Sequence, residues 1–189
     1  MRILTVRQPW AWAIIHGGKD VENRPRNIAG GYRGPVAIHA GLAYDTDSHV
    51  RSRALRAAQD EAAIAAGAEV FPGGYLWDID APDPRSAWNV HGAIIGVVDL
   101  VDVHLSKPST SNTHAGQPVC FDPYTRVGHV CSPGWAQEFP SPGGYHLVLA
   151  KPRALAEPIP YTGALGLRDL ATRDPETVLA ITRQIGATT

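Results

Sequence analysis

The residues with the clearest potential for chemistry lie near the start of the chain. Residues 7–12 (RQPWAW) are followed by residues 18–19 (GK) and then by residues 22–24 (ENR). Five cationic side chains and only two acids surround the two tryptophans of this region: Arg7, Lys19, Arg24, Arg26 and Arg33, with Asp20 and Glu22, around Trp10 and Trp12. Cations beside flat aromatic rings suit a ligand that carries both phosphates and ring systems.

Lys19 and Glu22 are the candidate catalytic residues. A lysine in this position can neutralise a phosphate of a ligand or, if it is desolvated, serve as a base. The alternative is a solvated lysine in a turn that pairs with Glu22. Arg24 lies two residues after Glu22 on an expected strand, so the carboxylate can fix the guanidinium for bidentate contact with a phosphate or a base edge. A purely structural ion pair explains the same spacing.

Four other side chains are candidate ligand contacts, and each has a structural alternative. Gln8 can donate and accept at once, as reading the edge of a base requires, or it caps the next helix. Trp10 is favoured over Trp12 as a stacking surface, because residues two apart on a helix point in different directions; alternatively both belong to the core. Arg33 lies beside a glycine that would let a phosphate approach, or it is a rim arginine. His39 is the best acid–base candidate if it faces a cleft, and otherwise it is a surface histidine with satisfied hydrogen bonds.

The histidines and cysteines do not have the spacing of a compact metal site. Suitable donors occur at His104, His114, Cys120, His129 and Cys131, but only the pair at 129 and 131 lies close in sequence. Two cysteines cannot form a disulfide framework for a chain of this size, so we expect reduced thiols. The sequence therefore predicts no metal and no cofactor.

Composition restricts the class of protein. The chain has 189 residues, of which 44% are hydrophobic and 19% charged, as in an ordinary soluble domain, and we expect a single domain over residues 1–189. A net charge of −1 argues against a surface that coats duplex nucleic acid, so any such contact must be local. Short apolar runs and early charges predict neither a signal peptide nor a membrane span, which indicates a cytoplasmic protein without membrane contact.

Hydrophobic patterning predicts the elements that position these side chains. Strands are expected over residues 3–6, 21–24, 32–39, 94–103 and 145–150. A helix should begin at Pro9 and end at Gly17, and its apolar residues cover nearly every side, so it must pack in the core. Strands outnumber helices without alternating with them. This pattern favours a mainly antiparallel α+β domain.

These residues resemble the ASCH family, a branch of the PUA-like superfamily. Residues 7–11 (RQPWA) with 18–24 (GKDVENR) are similar to its opening signature, and residues 32–40 (YRGPVAIHA) to its next strand. Four later pieces follow in the expected order: residues 92–98 (GAIIGVV), 145–149 (YHLVL), 158–161 (PIPY) and 163–167 (GALGL). Residues 45–89 and 105–129 lie outside the resemblance and look like insertions.

The resemblance implies a small PUA-like β-barrel with flanking helices and a cleft beside the first strand. It also implies binding of RNA or DNA, and some members resemble enzymes that hydrolyse acylated nucleosides or cleave RNA. In the hydrolase-like members a lysine of a Gly-x-Lys motif acts with a nearby threonine and a glutamate from a later strand. Lys19 matches that lysine, whereas Glu22 stands at the threonine position and Asp99 lies on the later strand.

Three hypotheses of function follow. The first is binding of RNA, another single-stranded nucleic acid or a modified nucleotide through a basic cleft. The second is an enzyme, either a Lys19-dependent amidohydrolase acting on N-acylated nucleosides or a ribonuclease. The third is a protein partner that docks on the inserted helix, expected over residues 48–66.

Overall fold

The computed structural model describes residues 1–46, 52–107, 119–121, 128–140 and 143–186. Its strands are β1 (Arg2–Gln8), β2 (Val21–Arg24), β3 (Gly34–Tyr44), β4 (Glu69–Phe71), β5 (Gly74–Leu76), β6 (Ala93–Lys107), β7 (Val119–Phe121), β8 (Gly128–Val130), β9 (Gly144–Pro160) and β10 (Leu167–Asp169). Its helices are α1 (Trp10–His16), α2 (Arg53–Ala65), α3 (Leu170–Arg173) and α4 (Pro175–Gly186), with a 3-10 turn at Ser86–Asn89. The predicted α+β class is correct.

Eight strands form one mixed sheet. Its main path runs β10-β1-β3-β6-β7-β8, while β9 pairs with β6 and carries β2 on its other side. The pairing of β1 with β3 is parallel, and the other pairs in this sheet are antiparallel. The long strands β6 and β9 therefore connect the two halves of the sheet.

The expected β-barrel is wrong, because the sheet is open. Closure requires the terminal strands to hydrogen-bond to each other, and no pairing among the described residues joins β2 to β1 or β10. On this side β10 covers only the first part of β1, from Arg2 to Leu4. Beyond that point a side chain bridges the gap, since Arg24 Nη2 of β2 donates to the Thr5 carbonyl at 3.0 Å.

Helix α1 packs in the core, as its apolar surface predicted. Residues 11–15 are all buried, and Ile14 and Ile15 join the main apolar cluster of the sheet. Gly96 of β6 permits this approach, because a Cβ at that position would lie 2.6 Å from Ile15 Cδ1. The helix therefore packs closely on the sheet. In the sequence it connects β1 to β2, the two strands that carry the candidate site.

The remaining helices pack elsewhere, with α2 against α1 and the 3-10 turn and α4 against the sheet. In α2, Leu55 and Ala63 are buried in a cluster that also contains Trp12 and Trp88. Part of the helix on which a protein partner was expected to dock is thus packed within this chain. Helix α4 packs against β9 through Ile181 and follows Asp174, whose carboxylate accepts from the Thr177 backbone N–H. No helix in the described ranges combines the length and the apolar character needed to cross a membrane.

Candidate functional site

A large open cleft lies on the uncovered part of β1. Its walls are formed by the end of β1 with Trp10, by β2, by the end of β3 and by two segments at residues 134–137 and 161–166. The cavity volume is 1230 Å³, above the range of about 300–1,000 Å³ that is typical of small-molecule pockets. The space therefore suits a ligand larger than a single nucleoside.

Lys19, Glu22 and Arg24 form one chain of charges along this cleft. The Lys19 ammonium lies 3.4 Å from Glu22 Oε2, and Arg24 Nη2 lies 3.1 Å from Glu22 Oε1. Lys19 is only 3% exposed and also donates to the Val21 carbonyl. Burial lowers the pKa of Lys19 from its ordinary value, while the Glu22 carboxylate acts in the opposite direction. The single carboxylate of Glu22 is thus shared by two cations in the cleft.

Trp10 provides an aromatic surface next to these charges. Its ring lies in the cleft wall, and the Lys19 ammonium is 5.9 Å from the ring centroid. The indole N–H donates to Asp45 Oδ2 at 3.1 Å, which fixes the orientation of the ring. Trp12, in contrast, is buried against Trp88 in an edge-on contact, with 5.2 Å between the ring centroids. Only Trp10 of the two is placed to stack on a ligand.

His39 lies at the bottom of the cleft beneath the segment at 161–166. Its Nε2 is 2.9 Å from the Tyr161 carbonyl, and because a carbonyl can only accept, Nε2 carries the proton. Nδ1 is then an acceptor, and it is buried without a hydrogen-bond partner among the described residues. Burial lowers the pKa of this imidazole, and the Tyr161 carbonyl opposes the shift. The ring is only 2% exposed.

Two candidate contacts lie outside the cleft. The Gln8 side chain is fully buried, where Nε2 donates to the Val90 carbonyl at 2.8 Å and Oε1 accepts from the Trp12 backbone N–H at 3.0 Å. Gln8 therefore connects α1 to the segment that leads into β6, and its buried amide is not available to a base. Arg33 is exposed and pairs with Asp102 at 3.1 Å, remote from the residues that line the cleft.

The position of Asp99 also separates it from this site. Its carboxylate pairs with Arg153 Nη2 at 2.5 Å, across the β6–β9 ladder, and Asp99 does not line the cleft. Of the residues that the resemblance aligned with a hydrolytic centre, the structure brings together Lys19 and Glu22 and leaves Asp99 apart.

Several cleft residues were not among the site residues predicted from the sequence. Thr5 accepts from the Ala164 backbone N–H at 3.1 Å, so the segment at 161–166 is tied directly to β1. A Cβ on Gly163 would lie 2.7 Å from His39 Nδ1 and 2.8 Å from Thr5 Oγ1, so only glycine fits there. These contacts join residues more than 120 positions apart, a distance over which local patterning carries no information.

The wall of the cleft at residues 134–137 is hydrogen-bonded to β2. Asn23 Nδ2 donates to the Trp135 carbonyl at 3.0 Å, and Asn23 Oδ1 accepts from the Gln137 backbone N–H at 2.9 Å. Ser132 also hydrogen-bonds to the Asp20 carboxylate. The segment that contains Trp135 is thus attached to the same strand that carries the charged residues.

The rim of the cleft is apolar and exposed. Leu42 and Leu165 line the opening, and they are 83% and 88% exposed. Arg7 also lies on the lining, is exposed, and makes no ion pair among the residues that the structure describes. A ligand in this cleft would meet apolar surface and an unneutralised guanidinium before it reached the buried charges.

Comparison with known proteins adds no relative to this description. No protein-family model matches the chain, and no curated protein matches it. The geometry of the cleft is therefore the basis for assigning a function.

Proposed function

We propose that the cleft binds single-stranded RNA or a modified nucleotide. The supporting observation is the convergence of the Trp10 ring, the exposed Arg7 and the Arg24 guanidinium on one open cavity. Aromatic faces bind bases by stacking, and guanidinium groups bind phosphates. The similarity of residues 7–11 and 18–24 to the opening signature of the ASCH family supports the same proposal, and membership of that family is part of it.

Each cleft residue has a role in this proposal. Trp10 stacks on a base, and the exposed side chains of Leu42 and Leu165 cover the base from the rim. Arg7 contacts a phosphate directly, because no carboxylate among the described residues neutralises it. Arg24 lines the cleft with a side chain that is 26% exposed, so part of its guanidinium can contact a second phosphate.

A titration of fluorescently labelled single-stranded RNA, followed by anisotropy, tests the proposal. Affinity should fall as salt rises, because phosphate contacts release counterions. Trp10→Leu should weaken binding by about tenfold, as expected for loss of one stacked base at about 1–3 kcal/mol. Arg7→Gln should lower the salt slope by about one. Arg85→Gln is the control, since this arginine pairs with Asp83 on the surface away from the cleft.

Two results would contradict RNA binding. One is no anisotropy change at low salt, and the other is a binding signal that does not depend on salt. If Trp10→Leu and Arg85→Gln weaken binding equally, the RNA does not occupy the cleft.

Amide hydrolysis is the second candidate, and the buried Lys19 favours it. A lysine whose pKa is lowered by burial, beside a carboxylate in an open cleft, is suited to act as a base toward water. Water would add to the acyl carbonyl of an N-acylated nucleoside, and the amine of the base would leave with a proton. The products are a carboxylic acid and the free nucleoside.

Chromatography of N-acylated nucleosides after incubation with the protein tests this activity. Lys19→Met should abolish turnover, while Arg85→Gln should retain it. Absence of turnover by the wild-type protein across the panel excludes the amidohydrolase. The labelled RNA from the binding experiment, run on a denaturing gel, tests the ribonuclease alternative in the same way.

A further inference from the structure

A second group of chemically active side chains lies at the far end of β6. His104 of β6, Cys120 of β7, His129 of β8 and Cys131 just after β8 bring their donor atoms within 4.8 Å of one another. Neither cysteine forms a disulfide. The cluster does not contribute to the lining of the cleft.

Strand register explains why these four side chains meet. Successive residues of a strand alternate between faces, so His104 and Ser106 share a face of β6. Ser106 lies opposite Cys120, and Cys120 lies opposite His129. Cys131 follows His129 by two residues. The three strands therefore direct all four donors to the same side of the sheet.

The distances match tetrahedral coordination of one metal ion. His104 Nδ1 lies 3.3 Å from His129 Nε2 and 3.5 Å from Cys131 Sγ. For zinc bound by two nitrogens and two sulfurs, ordinary bond lengths and tetrahedral angles give about 3.3 Å between nitrogens and about 3.5 Å between nitrogen and sulfur. All four donor atoms also lie within 4.8 Å of one another, as binding to a single ion requires.

The donor set selects the kind of metal. Two thiolates and two imidazoles are the ligands of structural zinc sites, whereas calcium and magnesium prefer oxygen donors. Two thiolates contribute two negative charges that a divalent cation neutralises. Two buried cysteines, with a half-buried and an exposed histidine, also place the ion at the edge of the core, where it can enter from solvent.

We propose that His104, Cys120, His129 and Cys131 bind a structural zinc ion. Four protein ligands complete the tetrahedral shell, so no position is left for water or substrate. The role of the ion is to hold β7 and β8 to the end of β6. These two strands have only three residues each, and short strands of this kind contribute little stability alone.

The zinc ion would also support one wall of the cleft. Cys131 begins the segment that contains Ser132, Trp135 and Gln137. This segment is hydrogen-bonded to Asp20, just before β2, and to Asn23 of β2. Next to the cluster, His146 of β9 lies with Nδ1 2.9 Å from Cys120 Sγ and Nε2 2.9 Å from the Gln137 carbonyl. This residue links a ligand of the ion to the same segment, as outer partners of metal ligands commonly do.

Cobalt substitution of the wild-type protein is the first test. The full chain is purified with a reducing agent, stripped with a chelator and titrated with Co²⁺. We expect saturation at about one ion per chain, a thiolate-to-cobalt charge-transfer band and the intense visible bands of a tetrahedral site. Addition of Zn²⁺ should bleach the spectrum. Absence of saturable binding, or the weak spectrum of an octahedral ion, overturns the proposal.

Variants then test the ligand assignment. His129→Gln is the first choice, because this imidazole is exposed and its loss does not open the core. It should weaken Zn²⁺ binding at least tenfold in competition with a chromophoric chelator, and Cys131→Ser should abolish the charge transfer from one of the two thiolates. His16→Gln, at an exposed histidine at the end of α1, is the control and should bind as the wild type does. Equal affinity in His129→Gln and His16→Gln would overturn the assignment.

Discussion

The cleft and the Cys/His cluster use their charged and polar groups in different ways. In the cleft, Lys19 and Arg24 share the carboxylate of Glu22, while apolar side chains and the exposed Arg7 surround a large opening. In the cluster, four donors meet within 4.8 Å and face one another. An open surface with distributed contacts suits an extended ligand, whereas convergent soft donors suit one ion.

The two regions share one segment of the chain. Cys131 belongs to the cluster, and Trp135, four residues later, belongs to the cleft wall. Asn23 connects this segment to the charged strand. The comparison therefore leads to a specific expectation, that changes in the cluster alter the cleft wall while changes in the cleft leave the cluster intact.

Removal of the metal should have the largest effect. Structural zinc can supply about 10 kcal/mol of folding free energy in small domains, so a chelator should lower the free energy of local opening in β7, β8 and residues 131–137 by several kcal/mol. Amide hydrogen exchange, read by mass spectrometry, measures this change. Helix α4 packs on the opposite end of β9 and serves as the internal control. Unchanged exchange at residues 131–137 would contradict the connection between the two regions.

Loss of the shared carboxylate should be the next largest effect. Glu22→Gln leaves the buried ammonium of Lys19 without its counterion and should reduce the free energy of unfolding by about 3 kcal/mol. Urea denaturation measures the change. The double variant Lys19→Met with Glu22→Gln should recover most of the loss, because the uncompensated charge is gone. Zinc content should be the same in both variants, and a fall would show that the cluster depends on the cleft.

The close approach of Gly163 to His39 predicts a smaller effect. Gly163→Ala places a methyl group 2.5 Å from His39 Cε1, so the segment at 161–166 must shift, at a cost of about 1–3 kcal/mol. Thermal denaturation measures the cost. Gly31→Ala is the matched control, since a Cβ there meets nothing within 4 Å. If the two variants melt at the same temperature, the segment is not packed on His39 as described.

Sequence reasoning identified the part of the site that is local. Hydrophobic patterning over residues 3–24 correctly predicted β1, α1 and β2 in order, and these elements bring Lys19, Glu22 and Arg24 together. The alternative role of Gln8, capping the next helix, is confirmed, because its Oε1 accepts from the Trp12 N–H. Its second partner, Val90, is 82 residues away and lies beyond local patterning. The open edge of the sheet was likewise outside local patterning, since closure depends on which strands pair.

The Cys/His cluster was not predicted for a related reason. Spacing rules recognise zinc ligands that lie on one turn or one hairpin, and here His104 is separated from Cys120 by part of a long insertion. Register in the folded sheet, rather than spacing along the chain, makes the four donors neighbours. His114, which offered another donor, lies outside the described residues.

The buried Lys19 should make the stability of the protein depend on pH, and a variant can isolate this contribution. Burial lowers the pKa of Lys19 in the folded state below 10.5, its ordinary value in the unfolded chain. At pH values between the folded-state pKa and 10.5 the unfolded chain binds more protons, so the free energy of unfolding should rise with pH there. The difference in unfolding free energy between the wild type and Lys19→Met isolates this contribution. A difference that is constant or falls over the same window would show that Glu22 outweighs burial.

Arg33 should show the smallest effect and defines the limit of the cleft. Its ion pair with Asp102 is exposed, and such pairs contribute about 0–1 kcal/mol. Arg33→Gln should therefore change the free energy of unfolding by less than about 1 kcal/mol. Because Arg33 does not line the cleft, RNA affinity and its salt slope should match the wild type, in contrast to Arg7→Gln. Anisotropy titrations of both variants in parallel measure the difference. If Arg33→Gln lowers the slope as much as Arg7→Gln does, the bound RNA extends beyond the cleft along the β3–β6 face.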